Sequence, residues 1–318
     1  MCKPKVSVII VNYNTGHLLG EMFDALLLSA NSLSAQVIVI DNASVDGSAE
    51  TLRAGYPQIE LIQNARNIGF GRANNQGLRY IQGEYVLLLN TDAFVAPDTL
   101  SKTINYMDAH PLCGILGVKL AGRDGTLQPS CRYFPTPWNI FLQRTGLHGL
   151  FPMARLMDDM TWDHASVRKC DWVPGCYYLI RHEVINEIGL FDPRFFLYYE
   201  EVDHCFAAKR AGWEVHFFPD TTVVHIGGES AKSEGELTAG GRQLEGLQIE
   251  SEILYFRKDH GLGAVFACLL LTILADAINL PKRIIRWRRP FGFVTLARRT
   301  GLRLSLLLRT NFGSRPTR

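Results

Sequence analysis

Along the first 120 residues, short β-branched runs alternate with stretches of helical periodicity. The apolar runs are Val6 to Val11, Gln36 to Ile40, Ile59 to Ile62, Tyr85 to Leu89 and Ile115 to Leu120. Runs this short and this rich in Val, Ile and Leu read as strands buried on both faces. After the first, Leu18, Leu19, Met22, Phe23 and Leu26 recur at helical spacing, and another helix is expected to begin after Pro97, since proline fits a first helical turn. The alternation predicts an α/β fold with a mostly parallel central sheet covered by helices. From Gly122 to Val173 the periodicity weakens. Pro129, Pro135, Pro137 and Pro152 interrupt it, with Trp138 and Trp162 scattered through, so a long, partly ordered excursion is expected. Patterning resumes at Cys176 to Arg181. It then predicts a helix from about Tyr199 to Ala211, ended by Gly212, and a strand at Glu214 to Phe218.

Parallel sheets bind ligands beyond the carboxyl ends of their strands, where strand order reverses. The runs end in Asn12-Tyr13-Asn14, Asp41-Asn42-Ala43-Ser44, Asn64 to Gly69, and Asn90-Thr91-Asp92. Each group alone also reads as a turn, because Asn and Asp favour turns; four on one sheet edge point to a ligand. Asp92 puts a carboxylate where a diphosphate could sit, and hard divalent cations are often held by one or two carboxylates plus substrate phosphates. A turn or cap before Pro97 is the structural reading. Glu200, Glu201 and Asp203 open the later helix behind the aromatic run Phe195 to Tyr199, with Lys209 and Arg210 at its end. That placement complements the helix dipole. Crowded, buried carboxylates also acquire the raised pKa of a general base, and both readings stand. His225 follows Val223 and Val224 and precedes Gly227-Gly228, as a strand-ending residue would; it becomes a ligand only if a metal lies nearby.

The composition, 47% hydrophobic and 20% charged in 318 residues, is that of a globular chain and excludes disordered or collagen-like classes. Seven cysteines form no C-x-x-C pair and no zinc spacing, and no apolar leader precedes Val6, which predicts reduced thiols in a cytosolic protein. The net charge of +2 is uneven: from Arg257 onward 13 Lys/Arg face only Asp259 and Asp276, a net +11, leaving −9 on the rest. A basic tail suits nucleic acid or an anionic membrane. Its apolar run, Ala264 to Ala275, is broken by Asp276 and Asn279 and closed by Pro281, short for a transmembrane span. Lys282, Arg283, Arg286, Arg288 and Arg289 interleave with Ile284, Ile285 and Trp287. Phe291 to Leu308 follows with Arg298, Arg299 and Arg303. The pattern reads as amphipathic helices docked on anionic lipid, or as a basic helical cap on the core. Aliphatic rather than stacking aromatic neighbours disfavour nucleic acid.

In order and spacing, several motifs resemble the family 2 glycosyltransferases of GT-A fold, especially the rhamnosyltransferase-like members, over roughly residues 5 to 230. They are Val6 to Asn14, Val39 to Ser44, Asn67-Ile68-Gly69-Phe70 with Asn74 to Gly77, and Leu89 to Asp92. Further on come Val173-Pro174-Gly175, Gly189 to Asp192, Glu200-Glu201-Val202-Asp203 and Ala211-Gly212-Trp213. The resemblance implies a nucleotide-sugar-binding half at 1–121 and an acceptor-binding and catalytic half of the same domain at 122–256; the basic amphipathic pattern beyond it is read as membrane-docking helices at 257–318. It places the nucleotide sugar against Asn12, Asp41, Asn67, Gly69, Asn75 and Asn90, with Asp41 reading the base. Asp92 and His225 would hold a divalent metal, Mg or Mn, on the donor diphosphate, and Trp172 and Gly175 would line the acceptor side. Glu201 takes the place of the catalytic base, with Glu200 or Asp203 able to share the role. Two departures stand out: the usual Asp-x-Asp metal motif has Asn90 first, and the usual Glu-Asp pair is Glu200-Glu201.

The implied reaction is inverting transfer of a sugar, with L-rhamnose from dTDP-rhamnose favoured, in cell-envelope glycan synthesis. The acceptor would be a glycan or a polyprenyl-diphosphate-linked saccharide, met on an anionic membrane surface at the cytoplasmic face of the plasma membrane. The pattern specifies no oligomeric state. No G-x-G-x-x-G or G-x-x-x-x-G-K-[ST] loop follows the first strand, which argues against a dinucleotide oxidoreductase. A catalytically impaired, membrane-docked sugar-binding or scaffolding protein is the other reading, with Asn90 and Glu201 as its marks; donor turnover separates the two.

Overall fold

The computed structural model describes residues 3–227, 242–287 and 291–318, excluding the side chains of 242, 281–287 and 291–296. The chain opens with β1 (Val6–Asn12), α1 (Gly16–Ala30), β2 (Ala35–Asp41), α2 (Ser48–Gly55), β3 (Glu60–Gln63), α3 (Phe70–Gly77) and β4 (Tyr85–Leu89). There follow β5 (Ala93–Phe94), α4 (Thr99–Ala109), β6 (Cys113–Ala121), β7 (Leu127–Gln128), α5 (Pro137–Thr145), a 3₁₀ turn (Leu147–Leu150) and β8 (Arg168–Cys170). The chain continues through β9 (Tyr177–Arg181), α6 (His182–Ile188), α7 (Glu200–Arg210) and β10 (Glu214–His225). Three long helices close it: α8 (Arg242–Tyr255), α9 (Gly261–Trp287) and α10 (Phe291–Arg309), with a π turn (Phe256–His260) between the first two.

The main sheet path runs β3-β2-β1-β4-β9-β6-β10-β5, with β7 beside β6 and β8 beside β10. The first four strands are mutually parallel, β9 is antiparallel to both neighbours, and β6 and β10 are again parallel. Each face of this buried sheet owns a core. On one, Leu19, Met22 and Phe23 of α1 and Leu100, Ile104 and Met107 of α4 pack on Val8, Ile10, Leu87 and Leu116. On the other, α3, α6 and α7 join Tyr255, Phe256 and Val265 of the C-terminal helices over Ile9, Leu88 and Ile180. The C-terminal helices therefore continue the main core.

Two expectations are corrected. The excursion from Gly122 to Val173 is more ordered than its prolines suggested: Thr136 and Asn139 form a reciprocal capping box and Pro137 takes the first turn of α5. Neither does Pro281 close the apolar run, because α9 continues through Asp276, Asn279 and Pro281 to Trp287. Tertiary partners make this possible. Asp276 pairs with Arg144 of α5 at 3.1 Å and Arg303 of α10 at 3.0 Å, and Asn279 donates to the Arg144 carbonyl. The expected basic run Lys282 to Arg289 falls outside the described side chains. Of the later basic residues, Arg298 and Arg299 both pair with Glu245 on α8.

Candidate active site

β1 pairs with both β2 and β4, so strand order reverses there and the carboxyl ends of β1 and β4 open onto a cavity of about 300 Å³. Asn90, Thr91 and Asp92 line it from the end of β4, and Asn67, Gly69 and Phe70 from the turn into α3. Gly175 and Cys176 approach from the start of β9, Glu200 and Glu201 from α7, and His225 from the end of β10. Of the residues singled out in the sequence, Asn67, Gly69, Asn90, Asp92, Gly175, Glu200, Glu201 and His225 are thus brought together from distant parts of the chain.

Five others are placed off the cavity wall. Asn12 and Asp41 are buried at the ends of β1 and β2, where Asn12 Nδ2 faces Asp41 Oδ1 and Ser48 Oγ at 2.7 Å each. The second Asp41 oxygen accepts from the Ser44 backbone N–H, so this carboxylate orders its own loop. Asn75 clamps α3 to the 189–195 loop through both the N–H and the carbonyl of Phe191. Trp172 lies in the core beneath the Arg132 guanidinium and donates to the Tyr133 carbonyl. Asp203 turns toward Lys258 at 2.6 Å, tying α7 to the π turn before α9. Burial raises its pKa to about 7 against the opposing pull of Lys258.

Asn42, Phe196 and Tyr198 also line the cavity and were not singled out as site residues. Asn42 donates to Asn67 Oδ1 and accepts from the Ile68 backbone N–H, so it holds the loop that leads into α3. The aromatic run before α7 was the signal for the other two. Its packing dictates Gly69: the Phe70 N–H donates to the Phe196 carbonyl at 2.8 Å, and a Cβ on Gly69 would lie 2.5 Å from that oxygen. Gly69 also has φ +91°, a conformation glycine adopts without strain. Tyr198 and Tyr199 both have φ 70°, so α7 begins from two consecutive left-handed non-glycine residues, strain of the kind found where a structure must aim particular side chains.

The carboxylates so aimed are unusual. Burial raises the Glu201 pKa, and burial together with the Glu201 charge raises Glu200 well above the usual carboxylate range. Glu200 Oε2 is buried without a hydrogen-bond partner among the described residues. A neutral Glu200 leaves Glu201 as the group of the pair that ionises first.

At the sheet edge, His225 Nε2 lies 3.6 Å from Asp92 Oδ1. Gln128 Nε2 donates to the His225 backbone carbonyl, which orients its amide so that Oε1 faces His225 Nδ1 at 2.9 Å. That acceptor requires the proton on Nδ1 and leaves a lone pair on Nε2, beside Asp92. Burial lowers the His225 pKa, which favours the neutral imidazole. One carboxylate and one oriented imidazole form a donor set suited to Mn²⁺ or Mg²⁺ completed by phosphate oxygens. Among the described residues no cluster of three or more His, Cys, Asp or Glu offers a complete protein cage.

Residues 7–158 match the model of glycosyl transferase family 2. The chain is a glycosyltransferase with a family 2 domain over that segment. This glycosyltransferase is 29% identical over 238 residues to the N-acetylglucosaminyl-diphospho-decaprenol L-rhamnosyltransferase of Mycobacterium tuberculosis, covering 69% of the chain and 75% of that protein. It is 24% identical over 260 residues to the dTDP-rhamnosyl transferase RfbF of Shigella flexneri, covering 80% and 81% respectively. Among solved structures, the mannosyltransferase PcManGT of Pyrobaculum calidifontis, in complex with GDP-Man and Mn²⁺, aligns with a TM-score of 0.54 at 17% identity, covering 99% of this chain and 85% of that one. S. aureus TarS aligns with a TM-score of 0.51 at 15% identity, covering 97% and 92%. These likenesses establish the GT-A fold of the glycosyltransferase.

Proposed function

We propose that the glycosyltransferase inverts configuration as it moves L-rhamnose from dTDP-rhamnose onto a lipid-linked saccharide, at the cytoplasmic face of the plasma membrane, in cell-envelope glycan synthesis. The observation that carries the reaction is a single cavity lined both by the Asp92–His225 pair and by the Glu200–Glu201 carboxylates. The names of the Mycobacterium and Shigella relatives support rhamnose, and the first supports a polyprenyl-diphosphate-linked acceptor.

Chemically, Glu201 removes the proton from an acceptor hydroxyl as that oxygen bonds to the anomeric carbon from the face opposite the diphosphate. The carbon–oxygen bond to the diphosphate breaks with its electron pair, inverting the centre. Glu200, whose pKa burial and the Glu201 charge raise further, takes up a proton before Glu201 does and so limits the negative charge beside the base. Asp92 and the Nε2 of His225 would hold a divalent cation, which supplies charge neutralisation for the departing nucleoside diphosphate. Asn67, Gly69 and Asn90 border the donor side, and Gly175 the acceptor side.

A thermal-shift panel of nucleoside diphosphates, with and without Mn²⁺ or Mg²⁺, tests the donor. Stabilisation by dTDP over purine nucleotides, strengthened by the metal, is expected. Preference for GDP or ADP would overturn the donor assignment, and failure to release dTDP from dTDP-rhamnose in the presence of acceptor would overturn the reaction.

A further inference from the structure

α9 is apolar on almost every side, yet only 28% of its most apolar window lies inside the fold. Its inward stripe of Val265, Cys268, Thr272 and Ala275 is buried. Its outward ridge, Leu262, Phe266, Leu270, Leu274 and Ile278, is exposed at every fourth position. Leu304 and Leu308 on α10 extend this ridge, with Phe312 beyond meeting the Phe266 ring at 6.1 Å. On its flank α9 packs on α5, where Leu271 and Ala275 join Phe141, Leu142 and Leu147. The chain just beyond exposes Leu150, Phe151 and Met153, the last 94% open to solvent.

The helix is held flat. Asp276 is buried against Arg144 and Arg303, and for α9 to leave the body and cross a bilayer these charges would be stranded in hydrocarbon. A bound helix with a wide apolar face lies in the interface plane instead.

We propose that this face, made by α9, the end of α10 and the Leu150–Met153 tip after α5, docks on an anionic bilayer. The ridge supplies the insertion and the chain's charge supplies the lipid preference. Directly after Ile278 the sequence carries Lys282, Arg283, Arg286, Arg288 and Arg289 within eight residues. Since Arg298, Arg299 and Arg303 are engaged by Glu245 and Asp276, the charge complementarity rests on that run. A second copy of the chain fits this face less well, because it would bring two such basic runs together. The proposal deepens the membrane-facing part of the reading above and rests on it only for the choice of a bilayer. It assigns docking to a surface that includes residues far from the basic tail.

The experiment is co-sedimentation of the full chain with vesicles of phosphatidylcholine alone or mixed with phosphatidylglycerol. The wild type should bind the mixed vesicles, less so at high salt. The double variant Leu270→Glu/Leu274→Glu should lose about a hundredfold or more in vesicle affinity with an unchanged melting temperature and dTDP response, since both side chains are exposed. Leu28→Glu, an exposed apolar site on α1, should bind like wild type. Undiminished binding by the double variant overturns the proposal. So does light scattering that shows a wild-type dimer which the variant dissociates, for the face then joins two copies. Vesicle binding is read without turnover, so failure here leaves the transfer reaction standing, and failure of transfer leaves this surface to be judged alone.

Discussion

The ends of β1 and β2 and the start of α7 both bury polar side chains, but only one of them satisfies what it buries. At the strand ends, Asn12 Nδ2 meets Asp41, Ser44 and Ser48, while Asn12 Oδ1 accepts from Thr15. At the helix start, Glu200 has an oxygen without a partner among the described residues, beside Glu201, and two tyrosines hold left-handed backbone to put them there. A satisfied buried network rigidifies a fold, whereas an unsatisfied one costs stability and persists where its chemistry is used. We therefore propose the first region as scaffold and the second as reaction centre, although the sequence presents both as polar residues next to apolar runs.

The sharpest way to break that contrast is Glu201→Gln. Positioned base catalysis contributes about 10² to 10⁴ in rate, so single-turnover transfer should fall by that factor while dTDP binding persists. In the wild type, kcat/KM should rise with pH along a limb centred above the usual carboxylate range, because burial raises the base and only its deprotonated form acts. A limb at an ordinary carboxylate pKa would place the base outside this buried pair.

Asn12→Ala should do the opposite. It removes a partner from Asp41 and from the hydroxyls of Thr15, Ser44 and Ser48, and should cost about 3 kcal/mol in denaturant unfolding, with little change in dTDP affinity. If stability holds and nucleotide affinity collapses, Asn12 belongs to the donor site and the scaffold assignment fails. Gln128→Ala is the mildest test. Without the acceptor that fixes the Nδ1–H tautomer, Mn²⁺-dependent dTDP binding should weaken by about 10- to 100-fold with no change in melting temperature. Equal Mn²⁺ titrations for the two proteins would remove His225 from the metal site.

Much of this was legible in the sequence where local pattern and tertiary demand agree. The strands of the first half appear where the β-branched runs lie, and α7 and β10 begin where acids and aromatics announced them. Asp92, His225, Glu200 and Glu201 were visible as polar residues closing or following apolar runs. α5 was missed although Thr136, Pro137 and Asn139 spell its start, because the surrounding prolines dominated the pattern. Asp41 drew attention as a carboxylate, but the residue beside it reaches the cavity: along a strand, adjacent side chains alternate in direction, and pattern alone does not say which one the ligand meets.

By itself the sequence determined the α/β alternation, the polar strand ends and the acidic opening of α7, because these depend on short-range periodicity and residue chemistry. Only the tertiary structure decided which polar residues face one cavity, since that depends on β9 and β10 entering the sheet beside β4 and β6. It also decided the course of α9. Asp276 and Asn279 look like breaks in an apolar run until Arg144 and Arg303, 132 residues earlier and 27 later, neutralise the one and the Arg144 carbonyl accepts from the other. A buried charge is tolerated or forbidden according to partners that no local window contains.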